Sequence, residues 1–441
     1  MTPSAIGLVM FAGMLVLMAL RTPIAAAMFI PGALGYIAIA NSTSLINLLK
    51  GSAVARLTVY DLSVIPLFLL MGQFATQGGL SRRLFHAAAA WVGHVRGGLG
   101  MASILSAGAF GAVCGSSVAT SATITQVAYP EMKRHGYAGG LATATLAAGG
   151  TLGILIPPSV PLVVYAILTE QNVAKLFAAA LVPGILAMLG YLVVLSLICR
   201  AQPQLAPPGD VVAWPARWRA LVGVWPIVAI FFIVFGGIYG GVFSPTEGAA
   251  VGAVATLVAG LAQRELTLDG MKTSLAATAE TSAMVFMIFL GADMMNATLA
   301  LTGMPAALAG WVSGLQVAPL VIVAAVLLFY VLLGCVMDEL SMLLLTLPVL
   351  FPAVMGLDLW GLPAQEKAIW FGILVLMTVG IGLIAPPVGL NVYVVNNLAR
   401  EVPMGETYKS VFPFLAWDAL RVLLLLFFPF VSLALVRSLF S

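Results

Sequence analysis

Charge is scarce in this chain of 441 residues, because Asp, Glu, Lys and Arg together make up only 8% of it. Hydrophobic residues make up 62%, and the mean hydropathy is +1.11. A water-exposed globular surface needs far more charge, which argues against a soluble enzyme. Nineteen Lys and Arg against sixteen Asp and Glu leave a formal charge of +3, too small and too dispersed for nucleic-acid binding. The expected partner of this surface is the lipid bilayer.

Motifs for catalysis or for metal binding through His and Cys are also missing. The three cysteines, Cys114, Cys199 and Cys335, have no paired spacing typical of a zinc site or a disulfide framework. GxSxG and HExxH do not occur, and the three histidines lie in basic segments away from apolar runs. The sequence therefore predicts neither an enzyme nor an organic cofactor. The first 23 residues lack a basic start and a cleavage signal, which predicts a retained membrane helix.

Apolar runs fill the chain almost from end to end and predict an all-α polytopic membrane protein. A helix needs about 20 apolar residues to cross a hydrocarbon core of about 30 Å. The sequence predicts ten crossings, at residues 4–20, 23–40, 61–77, 138–170, 175–199, 220–240, 246–262, 273–299, 368–399 and 410–436. The longest polar stretch, 200–219, is rich in proline and is predicted to be a cytoplasmic linker.

Two further apolar segments, 98–130 and 317–353, are divided by short clusters of small or polar residues. The first cluster contains Gly115, Ser116 and Ser117. Each flanking run of about 13 to 16 residues would reach only about 20 to 24 Å as a helix, which is short of a crossing. This predicts two re-entrant hairpins with their tips inside the membrane, and two short tilted crossings are the alternative. With both hairpins re-entrant, most basic residues lie on one side, which is therefore cytoplasmic, and both termini are external.

The second half of the chain weakly repeats the first. The matched positions are Pro157 and Pro158 with Pro386 and Pro387, Gly115 with Gly334, and Gly72 with Gly291. The two copies enter the membrane from opposite sides in the predicted topology, so the repeat is inverted. Paired hairpins and interrupted helices in inverted copies are typical of secondary transporters.

A proline pair interrupts a helix because it removes backbone donors and disfavours helix in the residue before it. Unpaired backbone groups are tolerated in the membrane only where they face protein or a cavity. Two matched interruptions therefore predict a binding site, although a simple proline kink between packed helices is the alternative. The predicted substrate site consists of Ser116, Pro157, Pro158, Pro386, Pro387 and Asn391.

The first tip and its opposing break offer neutral oxygens from Ser116, Ser117, Thr120, Thr151 and several glycine carbonyls, without a carboxylate. Such oxygens can replace the hydration shell of a small hard cation, which favours sodium over a proton. Helix amino termini at the tips carry partial positive charge, which suits an anionic substrate. Ordinary small-residue helix packing is the competing interpretation of these residues.

The second tip carries Asp338 and Glu339, which are costly inside a membrane unless they are compensated. Asp338 either caps the following helix or ligates an ion directly. Glu339 either faces water or carries a proton. The expected oxygen donors opposite this tip are Thr378, Gly380 and Gly382. Asn391 either faces the substrate or forms an interhelical hydrogen bond.

Four other ionisable residues lie within apolar spans. Asp418 and Arg421 are spaced i and i+3 on one predicted helix and are expected to neutralise each other. Glu280 and Asp293 have no evident partner in the sequence.

Six separated motifs in this order resemble the large membrane subunit of tripartite ATP-independent periplasmic (TRAP) transporters. They are IPLFLLMG (65–72), GSSVAT (115–120), YPEMKRHGY (129–137), LGILIPPS (152–159), SPTEGAA (244–250) and IAPPVGLNVYV (384–394). The resemblance implies a bacterial inner-membrane protein that imports organic acids with sodium. It also implies a separate small membrane subunit and a periplasmic substrate-binding protein as partners.

The same resemblance implies an elevator-type architecture, in which an inverted repeat carries the substrate across a scaffold. The mobile unit would consist of 61–170 and 273–400, and the scaffold of 1–60, 171–272 and 401–441. One sodium ion would be held by Ser116, Ser117, Thr120, Gly149, Thr151 and Gly153. A second would be held by Gly334, Asp338, Thr378 and Gly380. The alternative is a stand-alone organic-anion permease, coupled to protons or sodium, which would need no binding protein.

Overall fold

A computed structural model of the chain describes residues 2–314 and 317–440. All regular secondary structure in these two ranges is helical. The helices up to the first break are α1 (Pro3–Ala19), α2 (Ile24–Ile39), α3 (Ser42–Leu57), α4 (Val64–Gln77), α5 (Leu80–Val92), α6 (Gly98–Cys114), α7 (Ser117–Arg134), α8 (Gly139–Gly150) and α9 (Leu152–Leu155). The middle helices are α10 (Val160–Leu168), α11 (Val173–Ala201), α12 (Trp214–Val222), α13 (Trp225–Tyr239), α14 (Pro245–Ala262) and α15 (Leu268–Thr302). The remaining helices are α16 (Met304–Gly314), α17 (Pro319–Gly334), α18 (Glu339–Met355), α19 (Ala364–Gly382), α20 (Leu390–Leu398), α21 (Met404–Phe427) and α22 (Phe430–Leu439).

Helices occupy all ten predicted crossings, although the segmentation is finer than the hydropathy indicates. In the described ranges, five helices are long and apolar enough to cross a membrane, and up to eight if each bent pair is one span. The helices α3, α5 and α16 lie outside both the predicted crossings and the predicted hairpins. The last predicted crossing divides near Pro429 into α21 and α22, and α12 begins inside the predicted linker 200–219.

Both predicted hairpins are present. The first consists of α6 and α7, and the second of α17 and α18. The helices α6 and α17 have 17 and 16 residues. At 1.5 Å per residue they span only about 24 to 26 Å, less than a hydrocarbon core of about 30 Å. The two helix pairs are therefore found where the sequence predicts them, and their re-entrant placement in the membrane stays a prediction.

Both proline pairs interrupt a helix. The first lies between α9 and α10, where the axis bends by 42°. The second lies between α19 and α20, in the non-helical segment 383–389. A second proline has no amide hydrogen to donate, and the backbone must leave the helical path ahead of each proline. The two predicted broken helices are therefore confirmed, and uninterrupted kinked helices are ruled out.

The helices of the two repeats pack in corresponding pairs. In each repeat, the first hairpin helix packs on the first half of the broken helix: α6 on α8 and α9, and α17 on α19. Each second half of a broken helix instead packs on the opposite hairpin, α10 on α18 and α20 on α7. The second half of each broken helix thus packs on the hairpin of the other repeat, so each hairpin has contacts from both repeats.

The detailed alignment of the repeats differs from the prediction in one place. The carbonyl of Gly115 accepts a hydrogen bond from the amide of Val160 (3.2 Å), and the carbonyl of Cys335 accepts one from Gly389 (3.0 Å). Both donors follow their proline pair by two residues. The equivalent of Gly115 is therefore Cys335 and not Gly334, because the pattern of glycines alone could not fix the register of the tip.

The remaining helices surround this core. The helices α1, α2 and α4 pack with α14 and α15 on one side, whereas α11 and α21 pack directly on the broken helices. Gly72 and Gly291 both allow close approach, but Gly72 contacts the backbone of Cys114 and Gly291 that of Ala25, so they have different partners. The division into a mobile unit and a scaffold stays a prediction.

Replacing Gly382 by alanine tests the close approach of α17 and α19. A Cβ atom at Gly382 would lie 2.6 Å from the Cα and carbonyl carbon of Gly334, so the two backbones would have to separate. We expect Gly382→Ala to lower stability by about 1–3 kcal/mol or more. Thermal unfolding of the purified protein measures this loss.

Gly380→Ala is the matched control, because a Cβ there meets no atom closer than 3.7 Å. We expect its melting temperature to equal or exceed that of the wild type, since alanine favours helix over glycine by about 0.5–1 kcal/mol. Equal losses in both variants would contradict the close packing of Gly382.

Candidate functional site

The tip of the first hairpin docks onto the first break. Gly115 ends α6 with a φ of +68°, a conformation that favours glycine. Its Cβ position lies 2.8 Å from the carbonyl oxygen of Pro158, so the tip has no room for a side chain. The adjacent Ser116 caps α7, where its hydroxyl accepts a hydrogen bond from the amide of Ala119 (3.5 Å). The tip and the break are therefore held together through backbone contacts.

Two oxygens of this tip face the glycine of the broken helix. A Cβ at Gly153 would lie 2.6 Å from both the carbonyl oxygen of Ser116 and the hydroxyl of Thr120. The Thr120 hydroxyl is fully buried and has no hydrogen-bond partner. The same holds for Ser121, which faces Gly150. Because Gly150 and Gly153 have no side chains, the oxygens that face them are not in contact with a Cβ atom.

Not all residues predicted for the first ion lie together. Ser116, Ser117, Thr120 and Gly153 meet at the tip. Gly149 faces α6 instead, with its Cβ position 3.4 Å from Ala107. The hydroxyl of Thr151 faces α11, as described below. Four of the six residues predicted to hold the first ion therefore lie together, and Gly149 and Thr151 face other helices.

The second tip is built around a helix cap. One carboxylate oxygen of Asp338 accepts hydrogen bonds from the amides of Leu340 (3.0 Å) and Ser341 (2.9 Å), and the other accepts one from the Ser341 hydroxyl. This is the capping alternative of the sequence analysis. Direct ligation of an ion by Asp338 stays a prediction.

The three residues predicted as oxygen donors opposite the second tip, Thr378, Gly380 and Gly382, each contact different parts of the protein. The hydroxyl of Thr378 donates within its own helix, to the carbonyls of Leu374 (3.1 Å) and Val375 (2.8 Å). Gly382 packs on Gly334, and the Cβ position of Gly380 lies 3.7 Å from Cβ of Thr151. The two broken helices therefore cross where Gly380 meets Thr151.

The two repeats are joined by Asn391, which follows the second proline pair. Its amide nitrogen donates to the hydroxyl of Ser117 (2.6 Å) and lies 3.4 Å from the carbonyl of Ala147. Its side-chain oxygen is buried without a partner. Asn391 thus forms the interhelical hydrogen bond that the sequence left open, and contact with substrate stays a prediction.

The two breaks differ in exposure. Pro157 and Pro158 are buried, whereas Pro386 and Pro387 are exposed. The hydroxyl of Tyr408, near the start of α21, donates to the carbonyls of Pro387 (3.0 Å) and Val388 (2.7 Å). The second break is therefore exposed at the surface of this structure, and the first is buried.

A buried network that the sequence analysis did not find supports the first break. The hydroxyls of Thr151 and Tyr191 are 2.9 Å apart, and Tyr191 also bonds both carboxylate oxygens of Asp418 (2.9 and 2.7 Å). Asp418 forms the expected ion pair with Arg421, at 2.5 Å, and both side chains are at most 2% exposed. A tyrosine in the middle of an apolar span was the available signal, but its partner lies 227 residues away.

Asp293 also gains a partner, far from the tips. Its carboxylate forms an ion pair with Arg56 of α3, including a hydrogen bond from Nε of 2.6 Å. The pair lines a cavity of about 350 Å³ between α2, α3 and α15. Because α3 was not predicted, this pairing was not foreseen.

The end of the first hairpin opposite its tip is hydrogen-bonded to the loop that follows the second repeat. In the loop after α20, Glu401 accepts hydrogen bonds from Lys133 (2.6 Å) and Tyr129 (2.9 Å) of α7. The bond from the Lys133 ammonium group is the main reason why the pKa of Glu401 is lowered to about 2. The carboxylate therefore stays charged at any physiological pH.

Comparison with known proteins gives a consistent result. A family model described as "Tripartite ATP-independent periplasmic transporter, DctM component" matches residues 11–431. The chain is 36% identical over 378 residues to the C4-dicarboxylate TRAP transporter large permease protein DctM of Pseudomonas aeruginosa, covering 85% of this chain and 86% of that protein. It is 29% identical over 406 residues to the sialic acid TRAP transporter large permease protein SiaM of Vibrio cholerae, covering 91% and 92%.

A solved structure shares the fold. The YdaH transporter of Alcanivorax borkumensis superposes with a TM-score of 0.60, covering 87% of this chain and 89% of that one. The two sequences are only 16% identical, so the likeness concerns the fold alone.

Tyr191→Phe tests the network behind the first break. The change keeps the aromatic packing on Phe414, whose ring centroid is 5.7 Å away, but leaves buried oxygens of Thr151 and Asp418 without this partner. We expect a loss of about 1–3 kcal/mol in unfolding free energy, seen as a lower melting temperature. Tyr60→Phe is the control, because Tyr60 is 63% exposed and should tolerate the change. A melting temperature unchanged in Tyr191→Phe would contradict a stabilising network.

Glu401→Gln tests the contact at the hairpin base through its pH dependence. Since folding lowers the pKa of Glu401 from 4.5 to about 2, its contribution to stability is complete above pH 4.5 and disappears as the pH falls towards 2. We expect the melting temperature of the wild type to exceed that of Glu401→Gln at neutral pH, and the difference to shrink across that window. A difference that grows on acidification would show the opposite sign and contradict the assignment.

Proposed function

This chain belongs to the DctM component family of tripartite ATP-independent periplasmic (TRAP) transporters, and we propose that it imports a carboxylated organic solute together with sodium. Family membership makes it a membrane-embedded transporter permease and not an enzyme. The coupling ion, the substrate class and the manner of movement are the content of the proposal.

The observation that supports sodium coupling is a buried hydroxyl without a hydrogen-bond partner, next to a backbone carbonyl, at the first tip. The hydroxyl of Thr120 and the carbonyl of Ser116 both face the gap at Gly153. Hydroxyl and carbonyl oxygens are suitable ligands for a small hard cation. In the described ranges no three His, Cys, Asp or Glu residues cluster as a metal site, so the donor set differs from that of a transition-metal centre. The residues present fit sodium.

The observation that supports an anionic substrate is the convergence of helix starts. Among the described helices, α7, α10, α18 and α20 all begin at the tips and breaks. The start of a helix presents free amide hydrogens and partial positive charge. The relatives named above transport C4-dicarboxylates and sialic acid, according to their names. We extend a carboxylated substrate of this kind to the present chain.

The proposed transport cycle is of the elevator type. The two hairpins with their broken helices would move as one unit and expose the junction alternately to the two sides. The exchanged packing of α10 on α18 and of α20 on α7 supports motion as one body. A periplasmic binding protein would deliver the substrate and a small membrane subunit would complete the transporter, in the bacterial inner membrane with the N-terminus periplasmic.

Sodium-dependent uptake tests this proposal. In proteoliposomes containing the chain, its small subunit and its binding protein, we expect uptake of labelled succinate or sialic acid to require sodium. The double variant Ser116→Ala with Ser117→Ala should raise the sodium concentration for half-maximal uptake by about tenfold, the equivalent of about 1.4 kcal/mol.

Two buried serines of the same hairpin provide the control. Ser103 and Ser106 of α6 donate to backbone carbonyls in their own helix, at 2.8 and 3.0 Å, away from the tip. The Ser103→Ala and Ser106→Ala double variant should keep the sodium dependence of the wild type. Uptake that ignores sodium would refute the coupling, and uptake that is equally fast without the binding protein would favour a stand-alone permease.

A further inference from the structure

We infer that Glu339 of the second hairpin is a ligand of the sodium site at the first tip, so that a single ion is held by both repeats. The inference rests on the proposed sodium coupling and goes beyond it, because the ion would then bind only when residues of both repeats are in contact. Four properties of Glu339 carry the argument: its burial, its lack of a counter-charge, its position, and its neighbours.

Glu339 is an acid inside the membrane-embedded core with only 5% of its surface exposed. One of its carboxylate oxygens is buried without a hydrogen-bond partner. Among the described residues, the ion pairs leave Glu339 uncompensated. A buried carboxyl group is stabilised either by protonation or by a positive partner, and a bound cation would supply that partner.

The carboxyl group of Glu339 reaches across to the first repeat. It lies beside the backbone amide of Ser117 and the hydroxyl of Ser116, and close to Cys114. Although Glu339 begins α18, its functional group therefore lies at the start of α7. Its neighbour Asp338 is occupied by capping α18, so the two adjacent acids have different roles.

Two further unpartnered oxygens belong to the first turn of α7 and to a residue that contacts it. The hydroxyl of Thr120, which is fully buried, lies beside Cys114 and faces Gly153. Asn391 donates its amide hydrogen to Ser117 and keeps its buried carbonyl oxygen unpaired. The tip thus gathers a carboxylate, an amide oxygen, a hydroxyl and the Ser116 carbonyl. A set of hard oxygens with one negative charge is matched to one monovalent cation.

The test measures ion binding directly, without transport. We expect sodium chloride, but not an equal concentration of choline chloride, to raise the melting temperature of the purified full-length chain. Glu339→Gln keeps the shape of the side chain and removes its charge. We expect it to shift the sodium concentration for half-maximal stabilisation upward by at least tenfold.

Glu406→Gln is the matched control. Glu406 also lies in the first turn of its helix, α21, but it is exposed. Glu406→Gln removes the same charge from the first turn of another helix, so its sodium titration should coincide with that of the wild type. Glu339→Asp retains the charge on a shorter side chain and should give an intermediate shift, which keeps the test valid if Glu339→Gln fails to fold.

The possible failures are distinguishable. If sodium does not stabilise the wild type, the proposed sodium coupling itself is wrong. If sodium stabilises the wild type and the Ser116→Ala, Ser117→Ala variant weakens this effect, but Glu339→Gln leaves it unchanged, only the role of Glu339 is refuted. An unchanged sodium titration in Glu339→Gln, with loss of a pH dependence present in the wild type, would assign a proton to Glu339 in place of sodium and also overturn the inference.

Discussion

The structure depends on one constraint: a backbone that leaves the helical path inside a membrane must find hydrogen-bond partners within the protein. Each break meets it in the same way, by donating the amide two residues after the proline pair to the carbonyl at the hairpin tip. The carbonyl at each hairpin tip accepts a hydrogen bond from the non-helical backbone of the break, so the tip and the break stabilise each other. Glycine at positions such as 115, 153 and 382 lets these backbones approach closely enough.

The same backbone plan carries different chemistry in the two repeats. The first tip is capped by the hydroxyl of Ser116 and faces a buried break, whereas the second is capped by the carboxylate of Asp338 and faces an exposed one. The two tips therefore differ in cap chemistry and in burial although their backbone hydrogen bonds correspond. Asn391 and Glu339 then connect the unequal halves at Ser116 and Ser117.

Local features were predictable from the sequence, and long-range ones were not. Proline pairs and glycine-rich tips act on their own backbone, so the breaks and hairpins follow from the residues themselves. The helix α3 was missed because Lys50, Arg56 and several hydroxyl residues interrupt its apolar pattern. Tyr191 lies 40 positions from Thr151 and 227 positions from Asp418, and no local pattern indicates that these residues are bonded to one another.

The core contains two buried carboxylates in contrasting states. Asp418 is bonded by Arg421 and Tyr191, so its charge is compensated within the chain and its contribution behind the first break needs no bound ion. Glu339 has no such partner in the described chain and lies where both repeats meet. A compensated charge contributes to a permanent framework, whereas an uncompensated one makes the stability of the junction depend on what binds there. Under the proposed sodium binding at Glu339, the stability of this junction would depend on occupancy of the site, which would link ion binding to the ordering of both tips.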